Sequence, residues 1–349
     1  MSDAEKILVL FPGALGDFLC FLPTLKKLAA RGSLDLMART EYADLVPSTV
    51  RVRSLECHEV ARLYAPGAER EEGLGSFWGS YSQIYSWTGG GQIDFEGHLR
   101  AISKGKVEIF PFLPYGPQIH LVDYYLSCIG VKSAGRLHPT IRLRPGALAW
   151  SRRFWRYHKL KGAKVLALAP GSGARAKNWP ITFYKTAADS WQREWGGKVI
   201  IILGPVEEER AEIDHLFQEA IMVRRLNLAN LAALIRHCDL YVGNDSGVTH
   251  LAAASGVEVI ALFGPTDPAQ WAPRGKRVTV ARKAVECSPC ERATMKVCPH
   301  RKCLTTLTPK DAIRAMGMAW QVSPGVPISL TREGVRITFK TNSQRIFRV

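Results

Sequence analysis

The chain has no apolar run approaching the ~18 residues a bilayer-spanning helix needs, so no segment reads as transmembrane. Its start, MSDAEKILVL, lacks the positive n-region and small-residue cleavage site of a secretory leader. These two absences put the expected location in the cytoplasm. A reducing compartment in turn argues against a disulfide framework for the eight cysteines. Several signatures of chemistry are also missing. There is no G-x-x-x-x-G-K-[ST] phosphate loop, no H-E-x-x-H helix and no G-x-S-x-G elbow. Residues 11–16 (FPGALG) do not complete a G-x-G-x-x-G fingerprint. Charged residues are only 22% against 46% apolar ones, which excludes wholesale disorder. Acids are absent from 141–164, a stretch that carries eight Lys/Arg.

At 349 residues the chain has room for two domains, each with its own core. Residues 6–11 (KILVLF), 165–169 (VLALA), 198–203 (KVIIIL) and 258–263 (EVIALF) are short and almost wholly apolar, as strands covered on both faces are. Helical patterns occur at 183–195, 207–220 and 228–237. A first helix should start at Asp17, and Pro23 predicts a kink or restart within it. Alternation of this kind predicts parallel α/β sheets. We therefore expect an α/β fold of two Rossmann-like domains, residues 1–155 and 163–317, followed by a basic, strand-like tail at 318–349. A helix at 147–160 should lie just before the join. Residues 66–117, rich in Gly, Pro, Tyr and Trp, read as loops with short elements.

Loops at the carboxyl ends of such strands are where ligands bind. The densest of them is 242–268, VGNDSGVTHLAAASGVEVIALFGPTDP, where Asp245, Ser246, Gly247 and His250 crowd one helix entrance. The unpaired N–H groups of a helix start suit a phosphate. Lys177 follows the loop of Ser172 and Gly173, where a cation can neutralise a phosphate, or else lie exposed beside a packing Trp179. Asp17 reads as a helix cap, as a carboxylate placed to take a proton, or as both. Glu207 suits the first turn of a helix, and acids at comparable positions in nucleotide-binding folds hold a ribose. Cys287, Cys290, Cys298 and Cys303 are spaced C-x2-C-x7-C-x4-C. The first half resembles half of a zinc site, but the second lacks the usual spacing, so a reduced loop without metal is favoured over a structural zinc.

Three segments taken together resemble glycosyltransferase family 9: ILVLFPGALGDFLCFLPTLKKL (7–28), the K-x-W-P element (177–180) and NDSGVTHLAAASGVEVIALFGPTDP (244–268). That family contains the ADP-heptose:lipopolysaccharide heptosyltransferases. The likeness runs in order through residue 315, and CSPC…CPHRKCL (287–304) resembles the second-heptose branch. The resemblance implies a GT-B fold, with two Rossmann-like domains facing a central cleft. It also implies an inverting, metal-independent transfer of heptose from ADP-heptose to a lipopolysaccharide-core acceptor, with no cofactor. By the same resemblance Asp17 is the general base and Lys177 the cation on the donor phosphate. Ser172 and Gly173 form the adjacent phosphate loop, Glu207 holds the ribose and Leu226 flanks the adenine. Asp245, Ser246, Gly247 and His250 form the donor-sugar and diphosphate pocket. Residues 66–117 match nothing in the family, so no acceptor-binding residue is assigned. Another nucleotide sugar or acceptor, and an epimerase or hydrolase on the same fold, are the competing expectations.

The net charge is +16, and 15 of those charges fall in residues 141–164 and 301–349. Such localisation predicts an anionic partner, unless these are simply solvated surfaces. An acidic glycolipid acceptor fits. So does an anionic membrane surface under Arg152, Arg153 and Arg156 with Trp150, Phe154 and Trp155, which makes the expected location peripheral at the inner face of the cytoplasmic membrane. A nucleic-acid binder with a small zinc module is the distant alternative. No RNA- or DNA-binding motif is present, so nucleic acid is not an expected partner.

Overall fold

The computed structural model describes residues 5–115, 119–133, 135, 137–204, 211–321, 328–331, 334–337 and 345–348. The chain forms two compact units, Met1–Ala134 and Gly135–Val349.

The first unit is built on five parallel strands: β1 (Glu5–Leu10), β2 (Gly32–Ala38), β3 (Arg51–Ser54), β4 (Gln83–Ser86) and β5 (Lys106–Ile109). Their order is β3-β2-β1-β4-β5. Ile7–Leu10 of β1 are fully buried, which is why that run reads as continuous hydrophobe. The winding reverses between β1 and β4, so the loop after β1 opens at a topological switch point. Residues 66–115 are short elements joined by loops, as the sequence suggests. They supply β4, β5 and the helices Leu74–Trp78 and Ile93–Ile102, and Trp78, Tyr81 and Phe95 are core.

The second unit holds β6 (Val165–Ala169), β7 (Lys198–Ile202), β8 (Ile221–Val223), β9 (Leu240–Asn244), β10 (Glu258–Phe263) and β11 (Val278–Arg282). Beyond them come β12 (Ile328–Thr331), β13 (Gly334–Ile337) and β14 (Arg345–Arg348). The main sheet runs β8-β7-β6-β9-β10-β11-β14, all parallel. Its switch point lies between β6 and β9. The strand-like tail resolves into an antiparallel β12–β13 pair and an edge strand, β14, beside β11.

Two expectations change. The helix expected at 147–160 runs Pro145–Tyr157 and belongs to the second unit, so the division falls at residues 134/135 rather than near 155. Its Ala147 packs with Ala229 and Ala233 of the Leu228–Arg236 helix, and Ser151 Oγ donates to the Ala233 carbonyl at 3.1 Å. Small residues allow that close approach. The first helix, Leu15–Ala29, is continuous through Pro23. An interior proline costs a helix ~3 kcal/mol in isolation. Here Phe18 through Leu25 are all buried, and that packing offsets the lost hydrogen bond. No helix among the described residues is long and apolar enough to cross a membrane.

Candidate functional site

At the switch point of the second sheet, Ala169 of β6 lies opposite Gly243 of β9, so the two strands end level. The next residue, Asn244, is fully buried and uses its whole amide. Nδ2 donates to the carbonyls of Pro170 (2.8 Å) and Gly171 (3.4 Å). Oδ1 accepts from the Trp179 N–H (2.9 Å) and the Tyr184 hydroxyl (3.0 Å). Two donors and two acceptors are thereby satisfied, and the loop from Pro170 to Trp179 is clamped onto the end of β9. Trp179 closes the loop from the other side, donating its indole N–H to the Leu307 carbonyl at 2.7 Å.

That clamp delivers Lys177 to Asp245. The ammonium donates to Asp245 Oδ2 at 2.8 Å, and Thr266 Oγ1, from the loop after β10, donates to the same oxygen at 2.8 Å. Asp245 is 5% exposed. The following residue, Ser246, is the N-cap of the Gly247–Ser255 helix, and its side chain accepts from the Thr249 N–H. The first-turn N–H groups of that helix have no intrahelical carbonyl to bond. A cation, a carboxylate and a positive helix end therefore converge at the carboxyl ends of β6 and β9, an arrangement suited to a diphosphate bearing a hydroxylated group.

His250, one turn into the same helix, is 6% exposed. Burial holds its imidazole down to about 4, opposed by the Asp245 charge and a backbone hydrogen bond at Trp271 and reinforced by Lys177. The ordinary value is 6.5. Between those pH values the unfolded chain binds a proton that the folded chain refuses. Stability is therefore full above pH 6.5 and falls as the pH drops toward 4, by on the order of 3 kcal/mol from this group. Denaturation midpoints of His250→Gln should show a shallower decline across that window. An equal decline in both proteins would remove His250 as its source.

The other candidates are placed differently. Ser172 turns its hydroxyl into its own loop, 2.7 Å from the Ala174 carbonyl and 2.5 Å from Asn178 Oδ1, and accepts from the Ala174 N–H. Gly173 is exposed, with open space where a side chain would be. Leu226 is half-buried in the loop after β8, just before Asn227, which caps the Leu228–Arg236 helix. It is not part of the hydrogen-bonded group at β6 and β9. Glu207 lies outside the described residues.

Cys287, Cys290, Cys298 and Cys303 are not in disulfides. Among the described residues no group of three or more His, Cys, Asp or Glu is placed to hold a metal ion. Burial, then the neighbouring thiols, push Cys303 up to about 11, which keeps it protonated. The segment has a structural task instead. The Cys290 N–H donates to the Pro265 carbonyl at 2.7 Å and Ser288 Oγ to the Gly264 carbonyl at 2.6 Å, tying it to the loop that carries Thr266. Asn244 and Thr266 both escaped the sequence reading. Each lies inside the 242–268 segment, but the role of Asn244 depends on partners at 170–184 and that of Thr266 on Asp245 at the end of the neighbouring strand.

In the first unit, Asp17 follows β1 at its switch point. The helix begins at Leu15 rather than at Asp17, so Asp17 is a first-turn acid and not the cap. Its Oδ2 accepts from the Ala14 N–H at 3.2 Å. Gly13 is required by space, since a Cβ there would lie 2.8 Å from Asp17 Cβ and 2.4 Å from the Phe11 ring. The Tyr42 hydroxyl donates to the Gly13 carbonyl at 2.9 Å while its ring stacks on Phe18 at 4.0 Å. Burial raises the Tyr42 and Tyr125 phenols, and the Asp17 charge adds to both, so a carboxylate here faces two un-ionised phenols.

Residues 140–300 match the sequence profile of Glycosyltransferase family 9 (heptosyltransferase). Lipooligosaccharide heptosyltransferase 2 of Campylobacter jejuni is 30% identical over 164 residues, covering 44% of this chain and 50% of that protein. The match thus spans about half the length of the curated relatives. Among solved structures, the glycosyl transferase family 9 protein of Veillonella parvula covers 91% of this chain and 98% of its own, with a TM-score of 0.71 at 18% identity. The ADP-heptose lps heptosyltransferase II of E. coli covers 90% of this chain and 98% of its own, with a TM-score of 0.65 at 19% identity. At these identities the structural likeness establishes the fold, a GT-B pair of parallel-sheet α/β domains.

Proposed function

We propose, from the premise that the chain belongs through residues 140–300 to glycosyltransferase family 9, that it transfers a heptose from ADP-heptose to a lipopolysaccharide-core or related acidic glycan acceptor. The transfer inverts the anomeric centre and uses no metal. The observation that carries this reading is the Lys177–Asp245 pair at the β6/β9 switch point, beside a helix entrance. In this reading Lys177 and the first-turn N–H groups of the Gly247–Ser255 helix meet the donor diphosphate. Asp245 holds Lys177 in place, and Glu207 and Leu226 serve the ribose and the adenine. Asp17 takes the proton of the acceptor hydroxyl, and the freed oxygen attacks the anomeric carbon. The bond from that carbon to the β-phosphate oxygen breaks, and ADP leaves with the electron pair, its charge met by Lys177. The heptosyltransferase relative from Campylobacter jejuni and the ADP-heptose named for the E. coli enzyme support the donor class.

A ligand that binds only the folded state raises the melting temperature by mass action. In a panel of ADP-, UDP- and GDP-sugars, ADP-heptose should produce the largest shift. A shift with UDP- or GDP-sugars and none with ADP-sugars would overturn the donor assignment. Product analysis with and without acceptor separates transfer from epimerisation or hydrolysis. Turnover that persists in chelator is expected of the metal-independent step.

A further inference from the structure

The Pro145–Tyr157 helix presents a surface that the donor site does not use. Its inner face is fixed by Ala147 and Ser151 against the Leu228–Arg236 helix. At about 3.6 residues per turn, Arg152, Arg153 and Arg156 fall on the opposite side, and all three are exposed. Aromatic rings border this stripe. Trp150 and Phe154 lie 5.4 Å apart along one flank, with Tyr157 82% exposed at its end. Trp155 lies on the other flank, 5.4 Å from the His237 ring. That ring feels the charges of both Arg236 and Arg152, so cations gather from the neighbouring helix as well. Exposed Lys159 and Lys161 continue the patch beyond the helix. Among the described residues none of Arg152, Arg153, Arg156, Lys159 or Lys161 has an acidic partner, and residues 141–164 contain no acid to supply one.

Uncompensated arginines at this density repel one another, so the surface is suited to a partner of opposite charge. Rings set beside arginines on one helix match the interface of a bilayer, where cations meet anionic headgroups and amphipathic rings enter the boundary layer. We propose that this helix face docks the protein on an anionic lipid surface, lying parallel to the membrane plane. The inference stands apart from the transferase reading.

The test is sedimentation of the full chain with vesicles of phosphatidylcholine, with and without phosphatidylglycerol, beside the Arg152→Gln/Arg153→Gln/Arg156→Gln variant. Glutamine keeps helix propensity, so the helix survives the change. The protein should bind only the phosphatidylglycerol vesicles, in a salt-sensitive manner. At roughly fivefold per cation, the triple variant should partition about 100-fold more weakly. Its melting temperature and its shift with ADP-heptose should equal those of the parent. Equal partitioning of parent and variant, or no binding by the parent, would overturn the proposal. So would preferential binding of duplex DNA over the vesicles at physiological salt. Loss of the ADP-heptose shift in both proteins would count against the transferase reading alone.

Discussion

Asp17→Asn will lower the rate of sugar transfer by on the order of 100- to 10,000-fold while leaving donor affinity near that of the parent. The argument rests on what asparagine keeps and what it loses. Asp17 already has a structural task, since its Oδ2 accepts the Ala14 N–H one turn back at the start of the Leu15–Ala29 helix. An asparagine oxygen can accept the same bond, so the helix start is preserved. What disappears is the capacity to take a proton. Asp17→Ala removes both functions and should also cost about 1 kcal/mol of stability, the usual scale for a lost bond at a helix start. The pair of variants therefore separates a base from a first-turn acid. The base reading requires that asparagine be nearly as inactive as alanine while melting with the parent. If Asp17→Asn turns over at the parental rate, the carboxylate is only part of the helix start and the base lies elsewhere. Asp17→Glu is the sharper control. It keeps the acid and moves it by a methylene, and displacements of about 1 Å at a reacting centre cost large factors in rate.

How legible these features were depended on the physical origin of each. The runs that became β1, β6, β7 and β10 are buried on both faces, and burial of that kind leaves an unmistakable apolar block. The strands β4 (QIYS) and β5 (KVEI) are four residues long and mixed in character, too short to show any period, so residues 66–117 read as loops with short elements whose type and place the sequence does not reveal. The unit boundary is hidden in the sequence for a related reason. The contact that assigns the Pro145–Tyr157 helix to the second unit uses Ala147, Ser151 and Ala233, and small residues carry no pattern. At the site, Lys177 and Asp245 were each visible as polar residues after apolar strands. The adjacency of β6 and β9 brings them together across 68 positions. Asn244 is the clearest omission, because a buried amide reveals its importance only when its four partners, spread from Pro170 to Tyr184, are in place.

Lys177→Met will weaken donor binding by about 10- to 150-fold, the loss expected for one charged hydrogen bond to a diphosphate. The same change has a second consequence that must be separated from the first. Asp245 is buried, and without Lys177 its carboxylate retains the Thr266 hydroxyl on Oδ2 as its remaining side-chain partner. Removing one member of a buried pair costs as much as 3–5 kcal/mol. The Lys177 side chain is 24% exposed, so water relieves part of that, and a cost of about 1–3 kcal/mol is the reasonable expectation. A weaker donor affinity alone could then reflect a loosened site. The double variant Lys177→Met/Asp245→Asn decides the matter, because asparagine removes the orphaned charge. Residues in direct contact are expected to be non-additive. Stability in the double variant should recover toward the parent, since neither charge remains buried and Thr266 can still donate to the asparagine oxygen. Donor affinity should not recover, since the cation that met the diphosphate is still missing. Recovery of both would make Lys177 a partner of Asp245 and nothing more. Recovery of stability without affinity, with Asp245→Asn alone binding donor as the parent does, assigns Lys177 to the donor.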